Sequence, residues 1–265
     1  LAEALHTFSD VLVSSVLWIA LHYSRKGPDE KHPFGHGRAQ YVGALVAATL
    51  FVSFTSLELI REAVPKLFHP SAVPPTNVPI ALAVLAVSMV LAAFPLVSLI
   101  RHAQGEAARA QLLELVNDQL GLLAASIGTI LVWRGIPVAD PLAALVVAII
   151  IGGNGIVLFR DNLSLLLGRA PAPEIMGQLR EKVLSTPGVR GMHGLRAEMT
   201  GTEAFHAELH VEVDRGQLVE EAHAIADEVE ARLRAEHPLS QITVHVDVFE
   251  VASERKSDPP DARVG

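Results

Sequence analysis

Cysteine is absent from this 265-residue chain. That excludes disulfides, Cys-ligated zinc and a thiol nucleophile together, so any borderline metal must be held by His, Asp and Glu. Aromatic residues make up only 5% of the chain while half of it is hydrophobic, and mean hydropathy is +0.37, a balance unusual for a soluble protein of this size. Positive charge is short in the last third: from Pro171 onward about 18 Asp and Glu face about 10 Lys and Arg, whereas the rest is nearly balanced. An acidic end domain argues against a nucleic-acid partner and is compatible with cations. Neither H-E-x-x-H nor a dense histidine box occurs, which removes the usual ligand motifs of an intramembrane metalloenzyme.

What is present is apolar length. Five segments, about 1 to 24, 40 to 63, 78 to 100, 109 to 133 and 139 to 160, reach the roughly 17 to 25 residues that a membrane-crossing helix needs. The stretches GPDEKHPFGHG, FHPSAVPPTNVP and RGIPVADP punctuate them, rich in Pro, Gly and small polar residues. Arg25, Lys26, Lys31 and Arg38 flank the first loop, Arg101 and Arg109 the third, and Arg160 and Arg169 follow the last span. Lys66 and Arg134 alone serve the second and fourth. The positive-inside bias therefore puts the first and third loops and the C-terminal domain in the cytoplasm. Leu1 opens inside an apolar helical run, with no basic region or cleavage site before it. Five spans and a cytoplasmic C-terminus lead to the expectation of one further helix ahead of Leu1, six in all.

After Gly168 the pattern becomes that of a soluble domain. PEIMGQLREKVLSTPG and QLVEEAHAIADEVEARLRAEHP read as helices, and HGLRAEMTG, AFHAELHVEVD and QITVHVDVFE as strands. Phe205, Ala207, Leu209, Val211 and Val213 alternate with His206, Glu208, His210 and Glu212, as a half-buried strand requires. The expected architecture is an α-helical membrane bundle over 1–168, a ferredoxin-like α-β-β-α-β cytoplasmic domain over 169–252 and a disordered tail over 253–265.

Charges inside the apolar spans are expensive and need compensation. His6 and Asp10 lie four apart on the first helix, and Glu114 and Asp118 do the same on the fourth, so each pair shares a helix face. One imidazole and three carboxylates suit a tetrahedral divalent-metal site, although each pair alone can equally bond locally or face a watery crevice. Asn117 and Gln119 read as interhelical hydrogen bonders, and Asp140 as a helix-capping residue. In the first loop, Pro33, Gly35 and Gly37 favour a tight course that turns His32 and His36 inward near Asp29; capping or backbone bonding is the alternative.

The motifs EALHTFSDVL, HPFGHGR and the second x-x-x-D pair in the next-to-last helix resemble the cation diffusion facilitator family of divalent-metal/proton antiporters, over nearly the whole chain. The resemblance implies a homodimeric secondary transporter, not an enzyme, in a bacterial inner membrane, exchanging divalent metal ions for protons. It also implies that the family's first transmembrane helix precedes Leu1. The implied transport site is His6, Asp10, Glu114 and Asp118; a loop site is Asp29, His32 and His36; a cytoplasmic regulatory cluster is His193, His210, His223, His245 and Asp247. Zinc leads, but Glu114 stands where the commonest zinc pattern has His or Asp, and the harder site moves preference toward Mn2+, Fe2+ or Co2+, with Cd2+ a further candidate. A non-transporting membrane metal sensor is the competing reading. The resemblance implies a pairing of the basic residue at Arg38 with an acid beyond the last span, where this chain instead has Gly168.

Overall fold

The computed structural model describes residues 2–69, 77–102 and 106–249, with side chains described from residue 11 onward except at 51, 102 and 106–107. It divides into two units, Leu1–Gly27 with His36–Leu167, and Pro28–Gly35 with Gly168–Gly265. The expected tail, 253–265, lies outside the described residues.

The first unit is helical. Helix α1 is Ala2–Ser24; α2, Ala39–Leu50, runs through a π-helical segment, Phe51–Ser56, into α3, Leu57–Phe68. Then come α4, Val78–His102, α5, Glu106–Trp133, and α6, Ala139–Leu166. Among the described residues four stretches are long and apolar enough to cross a membrane, Ala39–Phe68, Val78–Arg101, Ala108–Trp133 and Ala139–Leu166, and the described apolar part of α1 is Val11–Ser24. Two helices outrun the expected ends of 63 and 160, reaching Phe68 and Leu166. Charges such as Lys66 and Arg160 end an apolar window, but they do not interrupt backbone hydrogen bonding.

Small residues set the packing. Val13 and Leu17 of α1 meet Ala44, Ala47 and Ala48 of α2, Ala110 of α5, and Val147, Ile151 and Leu158 of α6 in one core. A Cβ on Gly43 would lie 2.3 Å from that of Ala20, so only glycine permits this α1–α2 approach. The π-helical segment is pinned by Ser56, whose Oγ donates to the Ala148 carbonyl at 2.8 Å. Gly152 leaves the room: a Cβ there would stand 2.8 Å from that oxygen. Gln119 Nε2 donates to the Met89 carbonyl at 3.0 Å, an interhelical bond of the expected kind. Val84, Val87, Val90, Leu91 and Phe94 of α4 are exposed, as side chains solvated by lipid would be.

The second unit has the expected α-β-β-α-β order: α7, Pro173–Leu184; β1, Gly191–Met199; β2, Phe205–Val213; α8, Val219–Glu236; and β3, Gln241–Val248. The sheet order is β1-β2-β3, antiparallel on one side of β2 and parallel on the other. Alternate residues of β2, from Phe205 to Val213, are buried against Leu179 and Val183 of α7 and Val229 and Leu233 of α8. The opposite, polar face carries the histidines.

Candidate metal centres

Helix α5 presents Glu114 and Asp118 one turn apart. Glu114 is 4% exposed, and its buried carboxylate is held from two helices. Ser14 Oγ of α1 donates toward both oxygens, at 3.4 and 3.3 Å, and Gln111 Nε2 donates to Oε2 from the preceding turn. Neither Ser14 nor Gln111 stands among the sequence-derived candidates. Their spacing is a usable signal, since Ser14 continues the His6, Asp10 stripe at four-residue steps. His6 and Asp10 belong to α1, but their side chains lie outside the described residues.

Two cavities meet at Asp118. One of about 1060 Å³ is lined by Ser14, Trp18, Ser98, Gln111, Glu114 and Asp118, toward the C-terminal ends of α1 and α4 and the start of α5. The other, about 510 Å³, is lined by Thr55, Ser88, Asn117, Asp118 and Asp140 together with small apolar residues, toward the start of α6. Chemically, a carboxylate at such a junction can meet a cation or a proton arriving from either end.

In the loop, Asp29 Oδ1 accepts from the His32 backbone N–H at 2.8 Å and that of Lys31 at 3.1 Å, and lies 3.2 Å from His32 Nδ1. His36 is 4% exposed, with Nδ1 3.2 Å from the Gly27 carbonyl and its ring edge-on to Tyr23. Asp29 and His32 thus meet within one short turn of chain, and His36 follows four residues later. Gly35, at φ 79°, supplies the left-handed step the turn needs.

The cluster of the second unit is built by strand register. His210 pairs with His193 on β1 and with His245 on β3, so three imidazoles stand abreast. Successive ring centroids are 4.9 Å apart, stacked in both cases. Asp247 Oδ2 lies 3.0 Å from His193 Nε2 and 2.9 Å from His210 Nδ1. These three residues each offer an atom within 4.8 Å of the others, and His245 flanks them. A bulge between His193 and Arg196 makes the fit possible: Gly194 has φ 62°, and a Cβ on it would stand 3.1 Å from His210 Cδ2. His223 is not brought to this group. It sits on α8 with its side chain 73% exposed, 3.7 Å from Asp227.

Beside Gly168 the structure does place an acid, though from elsewhere in the chain. Gly168 has φ 85°, and Glu198 of β1 reaches to 2.7 Å from where its Cβ would lie.

Comparison with known proteins covers both units. The family profile described as Cation efflux transmembrane domain matches residues 1–167, and that described as Cation efflux protein, cytoplasmic domain, matches 171–249. The cation-efflux pump FieF of Pectobacterium atrosepticum is 31% identical over 258 residues, covering 97% of this chain and 85% of its own. Its counterpart in Serratia proteamaculans is 30% identical over 255 residues, covering 96% and 84%. Two solved structures of MamM CTD variants, in a nickel and a cadmium form, are 28% and 29% identical. They cover 30% and 29% of this chain and 100% and 98% of theirs, each with a TM-score of 0.28.

Proposed function

The chain belongs to the cation efflux protein family, and we propose that it exports a divalent cation across a bacterial inner membrane in exchange for protons. It is an integral membrane protein of a transporter family, not one of an enzyme family. The observation that carries the proposal is the position of Asp118, next to buried Glu114 and lining two cavities that run toward opposite ends of the helices.

In this reading His6, Asp10, Glu114 and Asp118 bind the cation when deprotonated and accept protons as it leaves, so competition for the same atoms couples the two fluxes. Ser14 and Gln111 hold Glu114 in place. Rocking of the helices about this level then opens one cavity at a time. Zinc leads among the candidate ions because imidazole and carboxylate both suit it. The three carboxylates keep manganese, iron(II) and cobalt next in line.

Residues 169–252 form the cytoplasmic, dimerising domain in this proposal, and His193, His210, His245 and Asp247 sense cytosolic metal there. Metal at the cluster biases the transport equilibrium, and Asp29, His32 and His36 form an auxiliary loop site. The test is metal uptake into proteoliposomes under an imposed pH gradient. Wild type should take up zinc when the gradient is present and little without it, and Asp118→Asn should abolish the difference. Equal uptake by Asp118→Asn would refute the transport site, and gradient-independent uptake would refute antiport.

A further inference from the structure

The cavity on the α6 side of Asp118 contains a second carboxylate that the transport site does not use. We propose that Asp140 is an ion-handling residue on the release path, receiving the hydrated divalent cation after it leaves the level of Glu114 and Asp118. The proposal rests on the export reading and names a further residue within it.

Three observations converge. First, Asp140 lacks the capping role that its sequence position invites. The residue before α6, Val138, is N-cap and makes no side-chain capping bond, and Asp140 forms no hydrogen bond or ion pair among the described residues. A first-turn carboxylate still favours the helix dipole, and that is the competing, purely structural role. Second, the carboxylate is placed by a glycine. Gly128 of α5 lies where any Cβ would meet Asp140 Oδ1 at 2.8 Å and Asp140 Cα at 3.1 Å, so α6 packs closely there.

Third, the cavity between the two acids is polar where it matters. Asn117 lines it and is 4% exposed; its Oδ1 accepts from Asn154 Nδ2 at 3.4 Å, while its Nδ2 has no partner among the described residues. A buried amide nitrogen left without a partner makes the wall at this residue polar. Thr55, on the π-helical segment, and Ser88 add hydroxyls to the same walls. The cavity's about 510 Å³ admits a cation with its first water shell. From Asp118 to the Gly128 crossing is ten residues of helix, about 15 Å, too far for one ion to be shared and suitable for a step between two sites.

The experiment compares wild type, Asp140→Asn, Asp140→Glu and Asp118→Asn as full chains in proteoliposomes, with zinc as the probe. Maximal uptake and half-saturating zinc are measured, as is inhibition by zinc added on the release side. Melting of each purified protein is followed in parallel. Asp140→Asn should lower maximal uptake at least fivefold at unchanged half-saturating zinc and should weaken release-side inhibition severalfold, and Asp140→Glu should restore both. Wild-type behaviour of Asp140→Asn overturns the proposal. So does equal loss in Asp140→Asn and Asp140→Glu accompanied by lowered melting, which would mark a structural role. If Asp118→Asn also transports normally, the export site itself is wrong, a result distinct from failure at Asp140.

Discussion

Ser14 of α1 points its hydroxyl at the carboxylate of Glu114 of α5, 3.4 and 3.3 Å from the two oxygens. Spans alternate in direction, so α1 and α5 run antiparallel. Position 10 is four residues back from Ser14 and position 118 four on from Glu114, so both lie about 6 Å farther in the same direction. The two aspartates therefore belong to one level of the unit. Because the chain contains no cysteine, Asp10→Cys with Asp118→Cys should form an intramolecular cross-link with a short bifunctional thiol reagent, identified by mass spectrometry of the digest. Cross-linking of Ser14→Cys with Glu114→Cys but not of the upper pair would show that the register is wrong.

In the proposed transport site, Glu114 sets the hardness. Glu114→His should raise the ratio of zinc to manganese uptake severalfold, because imidazole favours zinc and its loss of charge penalises the harder ion. Glu114→Gln should lower uptake of both by roughly tenfold or more, since an amide cannot supply the anionic ligand that the cation and proton compete for. An unchanged metal ratio in Glu114→His would count against direct coordination by this residue.

At the sheet, His210 and Asp247 should be indispensable and His223 dispensable. Calorimetric zinc titration of the full chain, with Asp118→Asn silencing the membrane site, should show a binding event that His210→Ala or Asp247→Ala removes. His223→Ala should leave it within about twofold, given its exposed place on α8 beside Asp227. Retained binding in Asp247→Ala would place the metal elsewhere.

Two glycines of the second unit should respond oppositely to alanine. Gly194→Ala forces a side chain into left-handed backbone against His210, at a cost of about 1–2 kcal/mol, and should lower both melting temperature and zinc affinity. Gly177 sits within α7 with nothing near its Cβ position, so Gly177→Ala should raise stability by about 0.5–1 kcal/mol. Chemical denaturation of the two variants distinguishes these signs directly.

The parts of the molecule legible in the sequence are those written in local periodicity. Apolar runs mark the spans, and the strict alternation from Phe205 to Val213 marks β2, because one face of each must avoid water. Pairs at four-residue spacing likewise bring Glu114 and Asp118 to one face. Register is not local, and it is where reading along the chain runs out. Nothing in the residues near His245 says that β3 lies parallel to β2 in the one phase that sets it against His210. The exposure of His223 likewise depends on which face of α8 covers the sheet. The acid beside Gly168 is invisible in the chain order because Glu198 arrives there from β1.

The His193–Asp247 contact joins residues 54 positions apart, one on the first strand of the domain and the other on the last. A cation bridging them closes a loop of that length, as a disulfide does in proteins that have cysteine. In the proposed function it would act as a clasp that opens on chelation instead of on reduction. By linkage alone, an ion present at a hundred times its dissociation constant holds the clasped form by about 2.7 kcal/mol. Under the proposed function, the rigidity of this domain would be tied to the supply of metal.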